Sequence, residues 1–194
     1  MKKGLLIILS GPSGVGKGTI RKRIINNPKL NLAYSISMTT RPKREREVEG
    51  EDYYFVSRNF FIENLEKGNF LEHCEFVGNF YGTPKDKIEE LRNNGKNVFL
   101  EIEVSGAAQV MSKIDHDDFV AIFLMPPSLK ALESRIRRRK TESEEIIQKR
   151  LKKAKREMGA GGNYDYIVLN DVIKRAAAEV TDIILEKIIE NESK

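Results

Sequence analysis

The sequence predicts a doubly wound parallel α/β fold interrupted by a β-rich insertion and by a helical, arginine-rich excursion. Three observations carry that reading. The uninterrupted aliphatic run Leu5-Leu6-Ile7-Ile8-Leu9 suits a strand buried on both faces. Strand-like runs at 97–103, 119–125 and 166–169 follow it, separated by helical stretches, which is the alternation that a parallel sheet with crossover helices requires. Between them, residues 35–83 lose the alternation and carry short aromatic-rich strands instead.

The first strand leads straight into Ser10-Gly11-Pro12-Ser13-Gly14-Val15-Gly16-Lys17-Gly18-Thr19. Glycines at this spacing let several backbone N–H groups point at one anion, and Lys17 adds a point charge for the outer phosphates of a nucleoside triphosphate. Gly11, Pro12, Ser13, Gly14, Val15, Gly16, Lys17, Gly18 and Thr19 are therefore candidate ATP-binding residues. Gly18 stands where a Ser or Thr usually follows the lysine, so the hydroxyl arrives one residue late, at Thr19. A Gly-Lys-Gly-Thr ending resembles that of some nucleoside monophosphate kinases. Ile20, Ile24 and Ile25 keep helical spacing after the loop and predict a helix over 17–26, ended by Asn26-Asn27-Pro28.

Residues 34–39 alternate as one half-buried strand does. The charged segment 40–50, with Pro42, reads as a loop, and 52–56 returns to strand composition. Phe60, Phe61 and Leu65 predict a short helix closed at Gly68, and the aromatics of 70–81 around Gly78-Asn79 predict a hairpin. Pro84 opens a helix that reaches Arg92 and stops at Asn93-Asn94-Gly95. Residues 97–103, 119–125 and 166–169 then supply the second, third and fourth strands of the main sheet. Between the last two, 128–158 reads as two helices with a polar connection, and 172–189 as an amphipathic helix packed on the sheet.

Length and composition narrow the class. A chain of 194 residues with 40% hydrophobic and 32% charged residues fits one domain with insertions. Its net charge of +5 favours anionic partners, and nucleotides satisfy that as well as nucleic acid does. The single cysteine, Cys74, excludes an internal disulfide and a cysteine-based zinc site, and reads as a small filler in a reducing cytoplasm. His73 and His116 lack ligand-spaced partners and read as structural or surface residues. The apolar run before the loop is too short to span a membrane.

A second anion site is written into the insertion. Arg41 and Arg44 lie three apart, within reach of one phosphate, and Tyr53 and Tyr81 offer phenol donors. The pattern Thr40-Arg41-x-x-Arg44-x-x-Glu47-x-x-Gly50-x-x-Tyr53-x-Phe55 resembles the signature of guanylate kinases. The resemblance covers essentially the whole chain. It takes in Glu72 before Gly78-Asn79-Phe80-Tyr81-Gly82-Thr83, the strand end Leu100-Glu101-Ile102-Glu103, Pro126-Pro127-Ser128, the arginine-rich stretch, and Asn170-Asp171 after the last strand.

The resemblance implies a P-loop NTPase-type parallel-sheet core of residues 1–34, 84–126 and 160–194, a GMP-binding insertion at 35–83, and a lid at 127–159. It implies transfer of the γ-phosphoryl of ATP to GMP. Lys17, Arg41, Arg139 and Arg150 are then the catalytic cations, and Arg135 and Asn170 join the ATP site. Ser37, Arg41, Arg44, Tyr53, Glu72, Tyr81, Thr83 and Glu103 become the GMP site. Glu72 and Glu103 accept from the guanine N–H groups. Magnesium accompanies ATP, with Thr19 and Glu101 as its candidate neighbours. Where many members have Asp-x-Asp, this strand ends Glu101-x-Glu103, and Ser105 stands where Gln is frequent.

ATP and GMP are the implied partners, with dGMP a further candidate; no nucleic acid, membrane or obligate protein partner is expected. Five of the six residues from Arg135 to Lys140 are cationic, but without aromatics for base stacking and with Glu142, Glu144 and Glu145 close behind, a lid over ATP fits better than a nucleic-acid patch. The opposing class is a non-catalytic guanylate-kinase-like module that binds a protein ligand. The presence of Lys17, Arg41, Arg44, Tyr53 and Tyr81 favours the enzyme.

Overall fold

The computed structural model describes residues 2–45, 47–76, 78–138 and 143–193. Along these the chain forms β1 (Leu6–Ser10), α1 (Lys17–Ile24), β2 (Leu32–Tyr34), β3 (Met38–Thr39), β4 (Tyr54–Phe55), α2 (Arg58–Glu66), β5 (Phe70–Phe76) and β6 (Asn79–Pro84). It continues through α3 (Lys85–Asn93), β7 (Asn97–Glu101), α4 (Val104–Lys113), β8 (Phe119–Met125), α5 (Leu129–Arg137), α6 (Glu144–Glu157), β9 (Tyr166–Leu169) and α7 (Ile173–Ser193).

Among the described residues, five strands make a parallel sheet in the order β2-β7-β1-β8-β9. Strand β1 is central because all five of its residues are buried, which only a strand covered on both faces tolerates. Ile7 and Leu9 point into one apolar layer with Ile20, Ile24, Val180 and Ile184 of α1 and α7. Leu6 and Ile8 point into the other, with Ile88, Ala107 and Val110 of α3 and α4. Each such side chain contributes about 1.5–3 kcal/mol on burial, so the two layers fix the strand's height against both helix sets.

A separate four-stranded sheet, ordered β4-β3-β6-β5, is built from the insertion. Its β5–β6 hairpin is antiparallel and turns at Gly78 with φ 73°. Phe61 of α2 is fully buried against it, stacked between Phe70 at 4.4 Å and Phe80 at 5.3 Å.

Several boundaries differ from the sequence reading. The single strand expected over 34–39 is two: Tyr34 ends β2 in the parallel sheet, and Met38–Thr39 belongs to the other sheet. Ser35 still donates its N–H to the Phe99 carbonyl, after which the chain crosses between sheets, so an apparent alternation spans two unrelated surfaces. The parallel sheet consequently has a fifth strand, β2, on its edge. The strand expected over 97–103 ends at Glu101, because Glu103 already stands at the N-cap of α4. The helix expected over 17–26 stops at Ile24, the strand over 52–56 shortens to Tyr54–Phe55, and the last helix runs on to Ser193.

Arg92, expected only to end a helix, is buried to 1% exposure. Its Nε donates to the Gly4 carbonyl at 2.8 Å, and its guanidinium pairs with Asp118 at 2.9 Å and Glu89 at 3.3 Å. It ties the entry of β1 to α3 and to the start of β8. Replacing it (Arg92→Ala) removes these bonds and leaves a cavity, and should cost about 2–4 kcal/mol, read as a lower urea midpoint with an unchanged m-value.

Candidate active site

Parallel sheets collect ligands beyond the carboxyl ends of their strands. Here the loop after β1 and the turn after β7 lie side by side, since Leu9 pairs in register with Glu101. The first loop has Gly11, Gly14 and Gly16 at φ 144°, 86° and 108°, a left-handed path that L side chains resist. Lys17 reaches back over it, its Nζ donating to the Gly11 carbonyl at 2.7 Å. The Val15 carbonyl is braced from outside by Arg135 Nη1 at 3.0 Å and Asn170 Nδ2 at 2.8 Å, while Arg135 Nη2 donates to the Asn170 carbonyl at 2.7 Å. Arg135 and Asn170 thus hold the loop's outer wall in this conformation, and Asn170 Oδ1 is buried without a partner.

Glu101, at the end of β7, pairs with Arg21 Nε at 3.0 Å, and the Arg21 guanidinium lies 4.1 Å from the Tyr34 ring centroid. A Cβ on residue 18 would sit 3.3 Å from Glu101 Oε1. Glycine at the position usually held by Ser or Thr therefore leaves room for a longer acid than Asp. Thr19 is exposed in the first turn of α1.

The insertion presents its charges to the same space. Glu47, quoted in the signature but given no role there, shapes the arginine loop: Oε1 accepts from Arg41 Nη2 at 2.7 Å and Oε2 from the Arg44 N–H at 2.8 Å. Arg41's hydrogen bond holds the Glu47 carboxyl below the usual carboxylate range. Arg41 also lies 5.6 Å from the Tyr53 ring centroid, and Tyr53 meets Tyr81 edge-on at 6.0 Å. Burial, then the neighbouring Tyr81, pushes the Tyr53 phenol up to about 12, so it stays a donor at neutral pH.

Two carboxylates close the cavity's inner end. Glu72 is 4% exposed and accepts from the Thr83 hydroxyl at 2.6 Å. Its other oxygen lies so close to α4 that a Cβ on residue 106 would come within 2.4 Å, which only Gly106 avoids. Burial raises the Glu72 carboxyl above the ordinary range, the Thr83 bond offsetting only part of it. Burial pushes Glu103 the same way, but Lys17, Lys153 and Arg150 outweigh it and hold that carboxyl below its ordinary value. Cys74, between them, is driven up to about 12 by burial and then by Glu72 and Glu103, and is an inert thiol.

One cavity of about 250 Å³ joins these groups, with Lys17, Arg41, Arg44 and Arg150 bringing positive charge and Ser37, Tyr53 and Tyr81 bringing hydroxyls. Glu72, Glu101 and Glu103 line it too. Thr83 touches it through Glu72, while Arg135 and Asn170 lie behind the glycine loop. Arg139 is outside the described residues. Sequence reasoning missed Glu47, Gly106, and the pair Lys153 and Glu157 of α6. The last two share a helix face with Arg150, a spacing of three and four that could have marked them.

A parallel sheet with a glycine-rich phosphate loop after its central strand, facing a cationic cavity roofed by a second small sheet, defines a P-loop kinase with a separate acceptor site. The sequence model described as Guanylate kinase matches residues 3–187, and the chain belongs to that family. It is 50% identical over 189 residues to the guanylate kinase of Malacoplasma penetrans (strain HF-2), covering 97% of this chain and 96% of that protein. It is also 50% identical over 183 residues to that of Streptococcus pyogenes serotype M3 (strain ATCC BAA-595 / MGAS315), covering 94% and 86%. The crystal structure of guanylate kinase from Anaplasma phagocytophilum superposes with a TM-score of 0.79 at 32% identity, covering 97% of this chain and 88% of that one. As a member of the family, the chain is an ATP:GMP phosphotransferase that yields ADP and GDP, which decides for the enzyme over the protein-binding module.

Glu72 makes a pH-dependent contribution to stability measurable. Because its folded-state proton affinity exceeds the unfolded one, its contribution to stability is full below the ordinary glutamate range and is lost as pH rises through the folded value. Glu72→Gln keeps an acceptor for Thr83 and removes that loss. The variant should be more stable than the parent at pH 7 by about 1 kcal/mol and equal to it in acid, measured by urea unfolding at both.

Proposed function

We propose that the γ-phosphoryl of ATP crosses this cavity from the glycine loop to the phosphate of GMP, with residues 35–83 as the GMP-binding insertion and 127–159 as the lid. The observation that carries the assignment is that Lys17, Arg41 and Arg44 share one cavity with Glu72 and Glu103. Phosphoryl transfer asks little covalent work of a protein, so catalysis here consists of bringing two polyanions together and neutralising the charge that migrates between them. Lys17 and Arg150 neutralise from the core and lid sides, joined by Arg139; Arg41, Arg44, Tyr53 and Tyr81 hold the acceptor phosphate. Arg41 is exchangeable between Glu47 and a phosphate, because a part-exposed ion pair contributes only about 0–1 kcal/mol.

Guanine presents an N1–H and an exocyclic amine, which Glu72 and Glu103 accept, and an O6 acceptor, to which the Ser37 hydroxyl donates. Thr83 serves the base by fixing Glu72. Adenine presents the opposite polarity at its position 6, leaving buried carboxylates unpaired. The outer wall formed with Arg135 and Asn170 supports the adenine end of ATP.

The donor set fits magnesium. Among the described residues, no group of three or more His, Cys, Asp or Glu could hold a metal, which suits an ion that keeps water and substrate phosphate oxygens as most of its ligands. Glu101 and Thr19 are its protein neighbours, and when bound it neutralises charge on the β- and γ-phosphates. Nucleotide substrates and a lone unpaired Cys74 support a cytoplasmic setting. Among the described residues, no helix is long and apolar enough to cross a membrane.

A coupled ADP-release assay with ATP, magnesium and each nucleoside monophosphate tests the base pocket. GMP should exceed AMP by about four orders of magnitude in kcat/KM; equal turnover would reject the pocket. In the same assay Arg41→Ala should lose about a hundredfold or more while its circular dichroism stays unchanged, and parental turnover would remove Arg41 from the site.

A further inference from the structure

Helix α6 places two charged side chains, Lys153 and Glu157, between the phosphate loop and the base pocket. Glu157 is 8% exposed, and its Oε2 accepts from the Ser13 N–H of the glycine loop at 3.4 Å. Its Oε1 lies 3.6 Å from Lys153 Nζ. That same Nζ donates to Glu103 Oε2 at 2.7 Å and stands 4.8 Å from the Phe76 ring centroid, on the insertion's β5. The result is a continuous chain, Ser13 to Glu157 to Lys153 to Glu103, in which one cation serves two carboxylates unequally.

Glu157 is an anion resting on a backbone amide of a loop built to receive phosphate. Two like charges brought to contact in a partly wet protein repel strongly. An arriving triphosphate therefore drives the carboxylate off Ser13, and the nearest cation is Lys153. Burial, and then Glu103, already raise the Glu157 carboxyl above its ordinary value, so this charge is poorly accommodated before any ligand arrives. Each gain in the Lys153–Glu157 pair is a loss in the Lys153–Glu103 pair, which frees the second oxygen of Glu103 for a guanine N–H.

We propose that Lys153 and Glu157 are positioning residues that couple the two substrate sites. Triphosphate on the glycine loop shifts Lys153 from Glu103 toward Glu157 and tightens GMP binding. The proposal rests on the reading of Glu103 as a guanine acceptor. Reciprocity then requires GMP to tighten the triphosphate by the same factor.

Calorimetric titration of GMP into the whole protein, with and without saturating magnesium and the β,γ-imido analogue of ATP, measures the coupling. The parent should bind GMP about fivefold or more tighter with the analogue present. In Lys153→Met, GMP affinity without the analogue should already be raised by a similar factor, and the coupling should fall below twofold. Coupling in Glu157→Gln should also fall below twofold, and coupling in the double variant should be no different from that in either. Absence of coupling in the parent, or coupling that survives in Lys153→Met, overturns the relay. Lys153 is half-buried and its replacement leaves the core intact, so that variant decides the matter even where Glu157→Gln does not fold. Glu103→Gln separates the two levels. If it leaves GMP affinity unchanged, the base-pocket reading fails; if it weakens GMP while coupling survives in Lys153→Met, only the relay fails.

Discussion

Repulsion between like charges sets the terms for this molecule. The reaction of this family brings two phosphate-bearing substrates together, and the candidate cavity holds four carboxylates, Glu47, Glu72, Glu101 and Glu103, with cations from separate elements around them. Lys17 comes from the loop after β1, Arg41 and Arg44 from the insertion, and Arg150 from α6. None of these elements carries the whole set. The parallel sheet is what makes the convergence possible: burying β1 on both faces fixes its carboxyl end, and the register Leu9 to Glu101 brings the next loop alongside.

Close approach, as much as charge, decides where the carboxylates lie. Gly106 lets the buried Glu72 carboxylate rest against the first turn of α4, and Gly18 gives Glu101 the extra methylene of length over Asp. The same constraint links sequence departures that look independent. A lysine followed by glycine and a strand ending in Glu rather than Asp are two sides of one contact, since a Cβ at 18 would press on Glu101. Glu72 shows what such placement costs. A carboxylate kept ionised where burial disfavours it weakens the folded state at neutral pH.

The sequence made the skeleton legible wherever a local pattern had a single cause. The aliphatic run of β1, the glycine loop and strand β8 fall where they were read, because burial on two faces leaves an unmistakable apolar run; β9 falls where it was read too, although only Val168 in it is buried. Strand β2 was not legible as an edge strand, since three half-buried residues carry no period of their own. The break after Tyr34 was hidden because alternation continued by accident across Ser35 to Ser37. The spaced residues of the insertion could be carried to one site by resemblance, but their partners could not. Glu47, Lys153 and Glu157 read as solvated charges on a loop and a helix, and Arg92 as a helix end. Only the fold shows that Lys153, Glu157 and Arg92 meet groups distant in sequence, and that Glu47 folds back onto the arginines three and six residues before it.

The arginine-rich stretch of α5 illustrates why charge in a sequence is ambiguous until partners are known. Arg137 is exposed and spent on Glu133 and Glu144, holding the ends of α5 and α6 together. Arg135, two residues earlier, points the opposite way and grips two backbone carbonyls, those of Val15 and Asn170. Arg135 brings its positive charge to the outer wall of the phosphate loop while it holds that wall in shape through two neutral carbonyls. Bracing of the loop and positive charge behind it are then one contact, and a movement of α5 that released Val15 would weaken both together.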